Sequence, residues 1–145
     1  MLKKLQKEYN LTYFFITHDL SLVRNIADRV FVMYLGTVME CGDVESLYSN
    51  PQHPYTQSLF SSIPVVDEKE REMLPVKIPL KGEIPSPMNA PTGCKFRTRC
   101  PFAVDECKER PVLEKKDSGT FASCHFTEKI QNIDKESVKV YHVSN

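Results

Sequence analysis

The first 27 residues alternate between a helical and an extended hydrophobic period. Apolar side chains in residues 2–9 recur at helical spacing. Residues 11–17 (LTYFFIT) form a short run of β-branched and aromatic side chains, which is typical of a buried strand. The helical period returns in residues 20–27, and Asp19 is the predicted N-cap. This part of the chain is therefore predicted to form a helix, a strand and a second helix.

The next segment predicts two strands and a short helix. Residues 30–35 (VFVMYL) are a continuous apolar run, followed by a turn at Gly36 and a return strand over 38–40. A short helix is expected over 44–48. Buried strands that alternate with amphipathic helices indicate a layered α/β sheet, but the strands are too few for a complete doubly wound domain. We interpret residues 1–50 as the C-terminal part of a larger domain.

Residues 51–145 no longer show the alternation of predicted strands and helices. Pro54 suits the first position of a short helix that contains residues 55–60. Six prolines between residues 64 and 91 oppose helix and central strand, and the charged run DEKERE lies among them. We predict a helix and proline-rich connector over 51–91, a cysteine-rich region over 92–126 and a polar tail over 127–145.

Composition narrows the classes of function. The 145 residues are 41% hydrophobic, with 19 basic and 19 acidic side chains. This balance gives no general electrostatic reason for binding to nucleic acid or an anionic membrane. No apolar run approaches the roughly 20 residues needed to cross a bilayer, and the first residues lack a signal-peptide core. We expect a cytoplasmic protein, in which clustered cysteines bind metal or do redox chemistry.

Four cysteines are the main candidate site: Cys94, Cys100, Cys107 and Cys124. Their region has few large apolar side chains, so a metal would stabilise its fold. Structural zinc sites usually pair cysteines two to four residues apart, whereas iron–sulfur clusters accept wider gaps such as these. The spacing alone leaves zinc and iron–sulfur both open. Two disulfides and ligation by His125 are weaker alternatives, and Cys41 is interpreted as an inert buried residue.

His18 is a second candidate, because it directly follows the predicted strand over 11–17. In open α/β sheets, ligands bind at the carboxyl ends of strands. An imidazole there can donate a hydrogen bond to a phosphate oxygen or orient a water molecule. A histidine that only hydrogen-bonds at a strand end is the alternative.

Longer segments resemble a known family. YFFITHDLSLVRNIADRVFVMYLGTVMECGDVESLYSNPQHPYTQSLFSSIP resembles the end of the nucleotide-binding subunit of an ABC transporter, and FITHDLSLV within it is similar to the switch-histidine segment. NPQHPYTQSLFSSIP and GEIPSPMNAPTGCKFRTRCPFAVDEC are similar to the C-terminal extension of the oligopeptide and dipeptide permease ATPases. The resemblance runs from about residue 1 to about 126, and the HPYT and CKFRTRCP segments narrow it to peptide and nickel importers.

The resemblance implies a fold and site residues. The fold is the C-terminal portion of a P-loop (ABC-type) nucleotide-binding domain, followed by a small irregular cysteine-rich lobe. His18 corresponds to the switch histidine that contacts the γ-phosphate of ATP, which is bound with Mg, and Asp19 to the aspartate that follows it. The four cysteines, Cys94, Cys100, Cys107 and Cys124, match those that carry a [4Fe–4S] cluster in members of this family.

The resemblance also implies a process and partners. In the full-length protein, ATP hydrolysis would be coupled to oligopeptide or dipeptide uptake. The partners would be a second ATP-binding subunit in a dimer and transmembrane permease subunits, with no nucleic acid. The location would be peripheral, on the cytoplasmic face of the cell membrane. The substrate, peptide or nickel, stays open.

The sequence departs from the family's complete pattern. No GxxxxGK[ST] phosphate loop, LSGGQ-type signature or apolar strand ending in Asp-Glu occurs in it. Phosphoryl transfer depends on positioning and charge stabilisation by those parts. We therefore expect a C-terminal fragment of an ATPase that does not hydrolyse ATP by itself, with strands over 11–17 and 30–35 that lack their neighbours and expose edges prone to aggregation.

A stand-alone zinc-binding interaction module is the alternative function. Basic and aromatic side chains interleave at Phe96, Arg97, Arg99 and Phe102, a pattern that can meet single-stranded nucleic acid. The balanced charge of the chain and the nearby Asp105, Glu106 and Glu109 argue against that contact.

Overall fold

The computed structural model describes residues 2–64 and 75–128. The helices are α1 (Leu2–Tyr9), α2 (Leu20–Ile26), α3 (Val44–Ser49) and α4 (Pro54–Phe60), and 3₁₀ turns cover Pro87–Asn89 and Asp105–Lys108. The strands are β1 (Arg29–Tyr34), β2 (Thr37–Asp43), β3 (Glu114–Lys115) and β4 (Phe121–Ala122). The predicted charged run and most of the predicted polar tail lie outside the described residues.

The helices agree with the sequence pattern. Asp19 caps α2, since its carboxylate accepts a hydrogen bond of 2.9 Å from the Leu22 backbone N–H. Asp43 caps α3 in the same way through the Ser46 N–H, at 2.8 Å. Pro54 occupies the first turn of α4, where its missing N–H costs nothing. All four predicted helices are confirmed.

The predicted strand over residues 11–17 is wrong for this structure. These residues are extended without ladder partners, and the side chains of Phe14 and Ile16 are 84% and 92% exposed. A strand needs a neighbour for its backbone N–H and C=O groups, and none of the described strands lies beside this segment. An apolar run is therefore present without the sheet that would bury it.

The predicted hairpin is confirmed and is longer than expected. β1 pairs antiparallel with β2, with Arg29 opposite Asp43 and Tyr34 opposite Thr37, and the register shifts between Val32 and Met33. The turn contains Gly36, whose φ of +73° is the left-handed conformation that glycine adopts without strain. β2 extends to Asp43, so Gly42 lies within the strand.

The sheet unites parts of the chain that the sequence pattern separated. Its order is β1-β2-β4-β3, and every neighbouring pair is antiparallel. Glu40 and Cys41 of β2 pair with Ala122 and Phe121 of β4. Sequence analysis predicted buried strands that alternate with helices. Instead, β4, near the end of the described chain, pairs with β2 of the hairpin.

Two apolar clusters lie on this sheet. One joins β1 to α3 and α4 and contains Val32, Leu47, Tyr48 and Phe60. The other joins the hairpin to the cysteine segment (residues 92–126) and contains Tyr34, Met39, Phe96 and three of its cysteines. Tyr55 packs against both clusters, so α4 connects them.

Candidate functional site

The four predicted cysteine ligands surround one small cavity. Cys94, Cys100, Cys107 and Cys124 all line it. The first three are buried, and Cys124 is partly buried. All of them are free thiols, so the disulfide alternative is not observed. Thirty-one residues of chain therefore bring all four sulfur atoms around a common space.

Tight backbone turns produce this convergence. The Cys94 N–H donates to the Cys107 carbonyl at 3.0 Å, which closes a loop of the chain between the two cysteines. Gly93 has a φ of +68°, and a Cβ atom there would overlap the carbonyl group of Lys108. Only glycine allows the two backbone segments to approach so closely.

Burial determines the acidity of the thiols. It raises the pKa of Cys100 to about 12 and that of Cys124 to about 11, and it also raises the pKa of Cys94. Backbone N–H groups act in the opposite direction: those of Phe96 and Arg97 lower the pKa of Cys94. These N–H groups point at sulfur and are available to stabilise a thiolate once a cation displaces its proton.

The donor set suits a soft metal group. Apolar and aromatic side chains, among them Phe96, Phe102 and Phe126, complete the cavity wall. No group of three or more His, Cys, Asp or Glu among residues 2–64 and 75–128 is arranged to hold a single metal ion. A single zinc ion needs its sulfur ligands at about 2.3 Å, whereas an iron–sulfur cube is larger than one ion.

The size of the cavity sets a further condition. It holds about 20 Å³, which is room for one body the size of a water molecule. The thiols would have to move outward around a larger group. The four sulfur donors have the chemistry of soft-metal ligands, but as they are placed they leave no room for a cluster.

His53 and Pro54 are the residues of this wall that come from outside the cysteine segment. The His53 ring is buried, and its centroid lies 5.7 Å from that of Phe96. His53 is also the N-cap of α4, because its Nδ1 accepts a hydrogen bond of 3.0 Å from the Tyr55 N–H. Burial lowers the pKa of His53 to about 3, so the ring is neutral.

A buried carboxylate fixes the backbone at His53. Glu40 of β2 is fully buried, and its two oxygens accept hydrogen bonds of 2.7 Å from the Gln52 N–H and 2.9 Å from the His53 N–H. Burial raises the pKa of Glu40 to about 7, against hydrogen bonds that lower it. The carboxylate thus joins the sheet to the start of α4.

The predicted nucleotide-contacting residues lie elsewhere. His18 is exposed, just before α2, and Asp19 is exposed and serves as the cap of that helix. Neither residue lines the cysteine cavity. The structure therefore brings the four cysteines together and leaves His18 and Asp19 as a separate exposed pair.

Sequence reasoning missed Glu40 and His53. It treated His53 only as part of a turn, and it placed Glu40 at the end of a strand without a role. One signal was available for His53: a polar residue directly before a proline at the start of a helix is an N-cap. No local signal identifies Glu40, because its partners lie 12 and 13 residues further along the chain.

Comparison with known proteins finds a family match for part of the chain. Residues 39–107 match the family model described as "Oligopeptide/dipeptide transporter, C-terminal region". In the part of the chain that the structure describes, no helix is both long and apolar enough for a membrane span.

Individual relatives agree with that match. The chain is 54% identical to YkfD of Bacillus subtilis over 129 residues and 52% identical to the oligopeptide transport ATP-binding protein AppF of the same organism over 126. It is 50% identical to the oligopeptide transport ATP-binding protein OppF of Escherichia coli over 115 residues. These alignments cover 86%, 86% and 79% of this chain, but only 38%, 38% and 34% of the three relatives. The chain thus spans little more than a third of the length of the proteins it matches.

Proposed function

We propose that the chain acts as the C-terminal part of a peptide importer's ATP-binding subunit, and the match of residues 39–107 to the C-terminal region of oligopeptide/dipeptide transporters supports this proposal. In the complete protein, ATP bound with Mg would drive uptake of oligopeptides or dipeptides. The observation that carries this proposal is identity of 50% or more to oligopeptide transport ATP-binding proteins over most of the chain.

The proposed fold is the end of an ABC-type nucleotide-binding domain followed by the cysteine segment. The apolar residues 11–17 support it, because they have the composition of a buried strand but no strand beside them among the described residues. Upstream strands of a complete domain would cover them. The domain division at residues 50, 91 and 126 remains part of this proposal.

His18 is the proposed contact to the γ-phosphate, and Asp19 fixes its position by capping α2. Support comes from geometry: His18 is exposed between an extended apolar segment and the start of a helix. An imidazole N–H there is free to approach an anionic phosphate oxygen and to orient the attacking water. The remaining charge stabilisation would have to come from a phosphate loop and a Mg ligand in the upstream domain.

The test restores the upstream sequence and measures ATP hydrolysis. We expect His18→Ala to reduce kcat by at least tenfold, because a positioned hydrogen-bonding group is lost from the reacting phosphate. Asn25→Ala, an exposed change on the same helix α2, is the matched control and should leave kcat near the wild-type value. Equal activity of His18→Ala and wild type would remove the switch assignment.

The proposed cofactor of the cysteine segment is a [4Fe–4S] cluster held by Cys94, Cys100, Cys107 and Cys124. The cluster would serve to cross-link the segment, since a region with a small apolar core gains stability from metal–thiolate bonds. Anaerobic purification followed by iron, sulfide and zinc analysis tests it. One zinc per chain without sulfide would favour the stand-alone zinc-binding module instead.

The proposed partners are a second ATP-binding subunit and transmembrane permease subunits, at the cytoplasmic face of the membrane. The names of the relatives and the match to a transporter family support this proposal. The formal net charge of zero gives no support for nucleic acid as a partner. Co-purification of the full-length subunit with a tagged permease subunit would test the assignment.

A further inference from the structure

We propose that residues 138–143 of the predicted polar tail bind as an extended strand in a groove between β2 and the residues that precede β3. The groove has a volume of about 530 Å³. Thr37 and Val38 line it on one side, and residues 110–113 line it on the other. None of the four cysteines is among its lining residues. This binding requires neither the proposed transport function nor a cofactor.

The groove continues the place of β4 in the sheet. The strand order puts β4 between β2 and β3, but β4 has only 2 residues. Ser123, which follows β4 and lines the groove, donates its N–H to the Met39 carbonyl at 2.8 Å and its hydroxyl to the Pro111 carbonyl at 2.7 Å. The next residue, Cys124, already lines the cysteine cavity. Because neighbouring strands lie about 4.8 Å apart, β2 and the residues before β3 flank a space of one strand's width beyond Ser123.

Backbone groups that face this space are open to a further strand. On the β3 side, the Lys116 N–H donates to the Thr120 carbonyl at 2.8 Å. The backbone groups of an extended chain alternate between its two edges, so Val112, four positions earlier, directs its N–H and C=O to the same side. Within residues 110–113, the described hydrogen bonds reach only the Pro111 carbonyl. Val112, whose side chain is 75% exposed, therefore offers a donor and an acceptor to a strand in the groove.

Residues 138–143 have the composition that such a position requires. The stretch reads VKVYHV, with three valines and one tyrosine and without glycine or proline, which is typical of a strand. It lies outside the described residues. Residues 129–137 link it to the described chain, and a linker of that length spans up to roughly 30 Å when it is extended. Because the linker starts only a few positions after Ser123 in the groove wall, the stretch can reach the groove.

Charge favours the same occupant. Arg110 is exposed and is the charged residue of the groove wall. Asp134 and Glu136 directly precede the valine-rich stretch, so a carboxylate can approach the guanidinium group when the stretch lies in the groove. An exposed pair of this kind sets the orientation of a bound segment more than its affinity. The main attraction would come from backbone hydrogen bonds, as in other cases of strand addition.

Hydrogen exchange of the isotope-labelled full chain, followed residue by residue with NMR, tests the proposal. We expect the Val112 N–H to be protected in the wild-type protein. Val140→Pro removes a backbone donor from the middle of the stretch, so exchange at Val112 should become about tenfold faster, the factor that corresponds to one hydrogen bond. Ile133→Pro is the matched control, because it makes the same change in the tail but outside the stretch. It should leave the exchange at Val112 near the wild-type rate.

Val32, which pairs with Glu40 in the hairpin, reports on the fold and should exchange at the same rate in all three proteins. Equal rates at Val112 in Val140→Pro and wild type overturn the proposal. Protection that depends on protein concentration also overturns it, in favour of a tail from a second copy. If Val140→Pro also speeds exchange at Val32, Val140→Gly replaces it, since glycine keeps the N–H but weakens a strand. Faster exchange at Val112 alone in Val140→Gly supports the proposal, and an unchanged rate there overturns it.

Discussion

Residues 11–17 and strand β2 are two stretches of equal length with opposite outcomes. The first is extended, unpaired and exposed, with Ile16 92% exposed. The second is the centre of the sheet, paired with β1 on one edge and with β4 on the other, and four of its seven residues are buried. β2 is the less apolar of the two stretches, yet it forms the strand because the chain supplies neighbours on both of its edges.

The same contrast applies to polar groups. Glu40 in β2 is fully buried and bonded to two backbone N–H groups, whereas His18 and Asp19 after the unpaired stretch are exposed. Residues 29–64, 75–80 and 92–126 therefore contain the packed region of the described chain. Residues 2–19 contribute no fully buried side chain to it. Four predictions test this division between a packed and a loosely packed region.

The largest expected effect is at Gly93. Alanine there has a left-handed φ and a Cβ that overlaps the Lys108 carbonyl group, so the loop around the cysteines cannot close. We expect Gly93→Ala to cost several kcal/mol in unfolding free energy and to abolish retention of iron if the proposed cluster is bound. Gly119→Ala is the control, since Gly119 has a φ of +83° but open space around it, and it should cost only about 1 kcal/mol. Denaturant unfolding with iron analysis measures both, and equal losses would contradict the close-approach argument.

Truncation of an apolar side chain should lower the free energy of unfolding in the packed region and not in residues 2–19. Leu47 is fully buried beneath β1, so Leu47→Ala should lower the free energy of unfolding by about 2–5 kcal/mol. Ile16→Ala should change it by no more than about 0.5 kcal/mol, because the side chain is already in water. Urea titration of the two variants provides the measurement. A large loss for Ile16→Ala would mean that residues 11–17 are packed in solution.

The pH dependence of the unfolding free energy should reveal the titration of the buried Glu40 carboxyl group. Its folded pKa of about 7 is raised from 4.5, so the folded state holds the proton more tightly than the unfolded state. The tighter proton binding adds about 3 kcal/mol to the free energy of unfolding. This stabilisation is fully present below pH 4.5 and is lost as the pH rises through about 7. Glu40→Gln has no such titration, so the difference between its unfolding free energy and the wild-type value should change over this window. Parallel pH profiles for the two proteins would show that the carboxyl group does not titrate in this range.

The smallest effect concerns two equivalent helix caps. Asp43→Ala removes the acceptor at the start of α3, which carries the buried Leu47 and Tyr48. Asp19→Ala removes the same acceptor from α2, which has no buried residue. We expect Asp43→Ala to lower Tm by a few degrees and Asp19→Ala to leave it nearly unchanged, because fraying of α2 exposes little apolar surface. Differential scanning calorimetry compares them, and a larger shift for Asp19→Ala would contradict the assignment of α2 to the loosely packed region.

The sequence predicted those features that depend on local chemistry. The cap at Asp19, the proline at the start of α4 and the Gly36 turn are determined by residues a few positions apart, and the helices and the hairpin could be predicted from such local signals. The four cysteines could also be identified as one site, because few residue types make metal–thiolate bonds. Their actual grouping around one cavity depends on Gly93 and on packing against Phe96.

Contacts between residues that are far apart in sequence could not be predicted from local patterns. The pairing of Glu40 with Ala122 and the entry of His53 into the wall of the cysteine cavity both depend on tertiary packing. The strand expected over residues 11–17 failed for the same reason, since its composition is correct but its neighbours are not among the described residues. The binding of a metal group by the four cysteines and the roles of His18 and Asp19 stay predictions.

The pairing of Cys41 with Phe121 has a consequence for biosynthesis. About eighty residues separate the two positions, and a ribosome that adds about 5–20 residues per second needs roughly 4–16 s to make them. During that interval the edge of β2 that later pairs with β4 is open and available to other extended chains. Premature release upstream of Phe121 would make that exposure permanent, so the last strand to emerge is also the one that ends the period of greatest risk of misassembly.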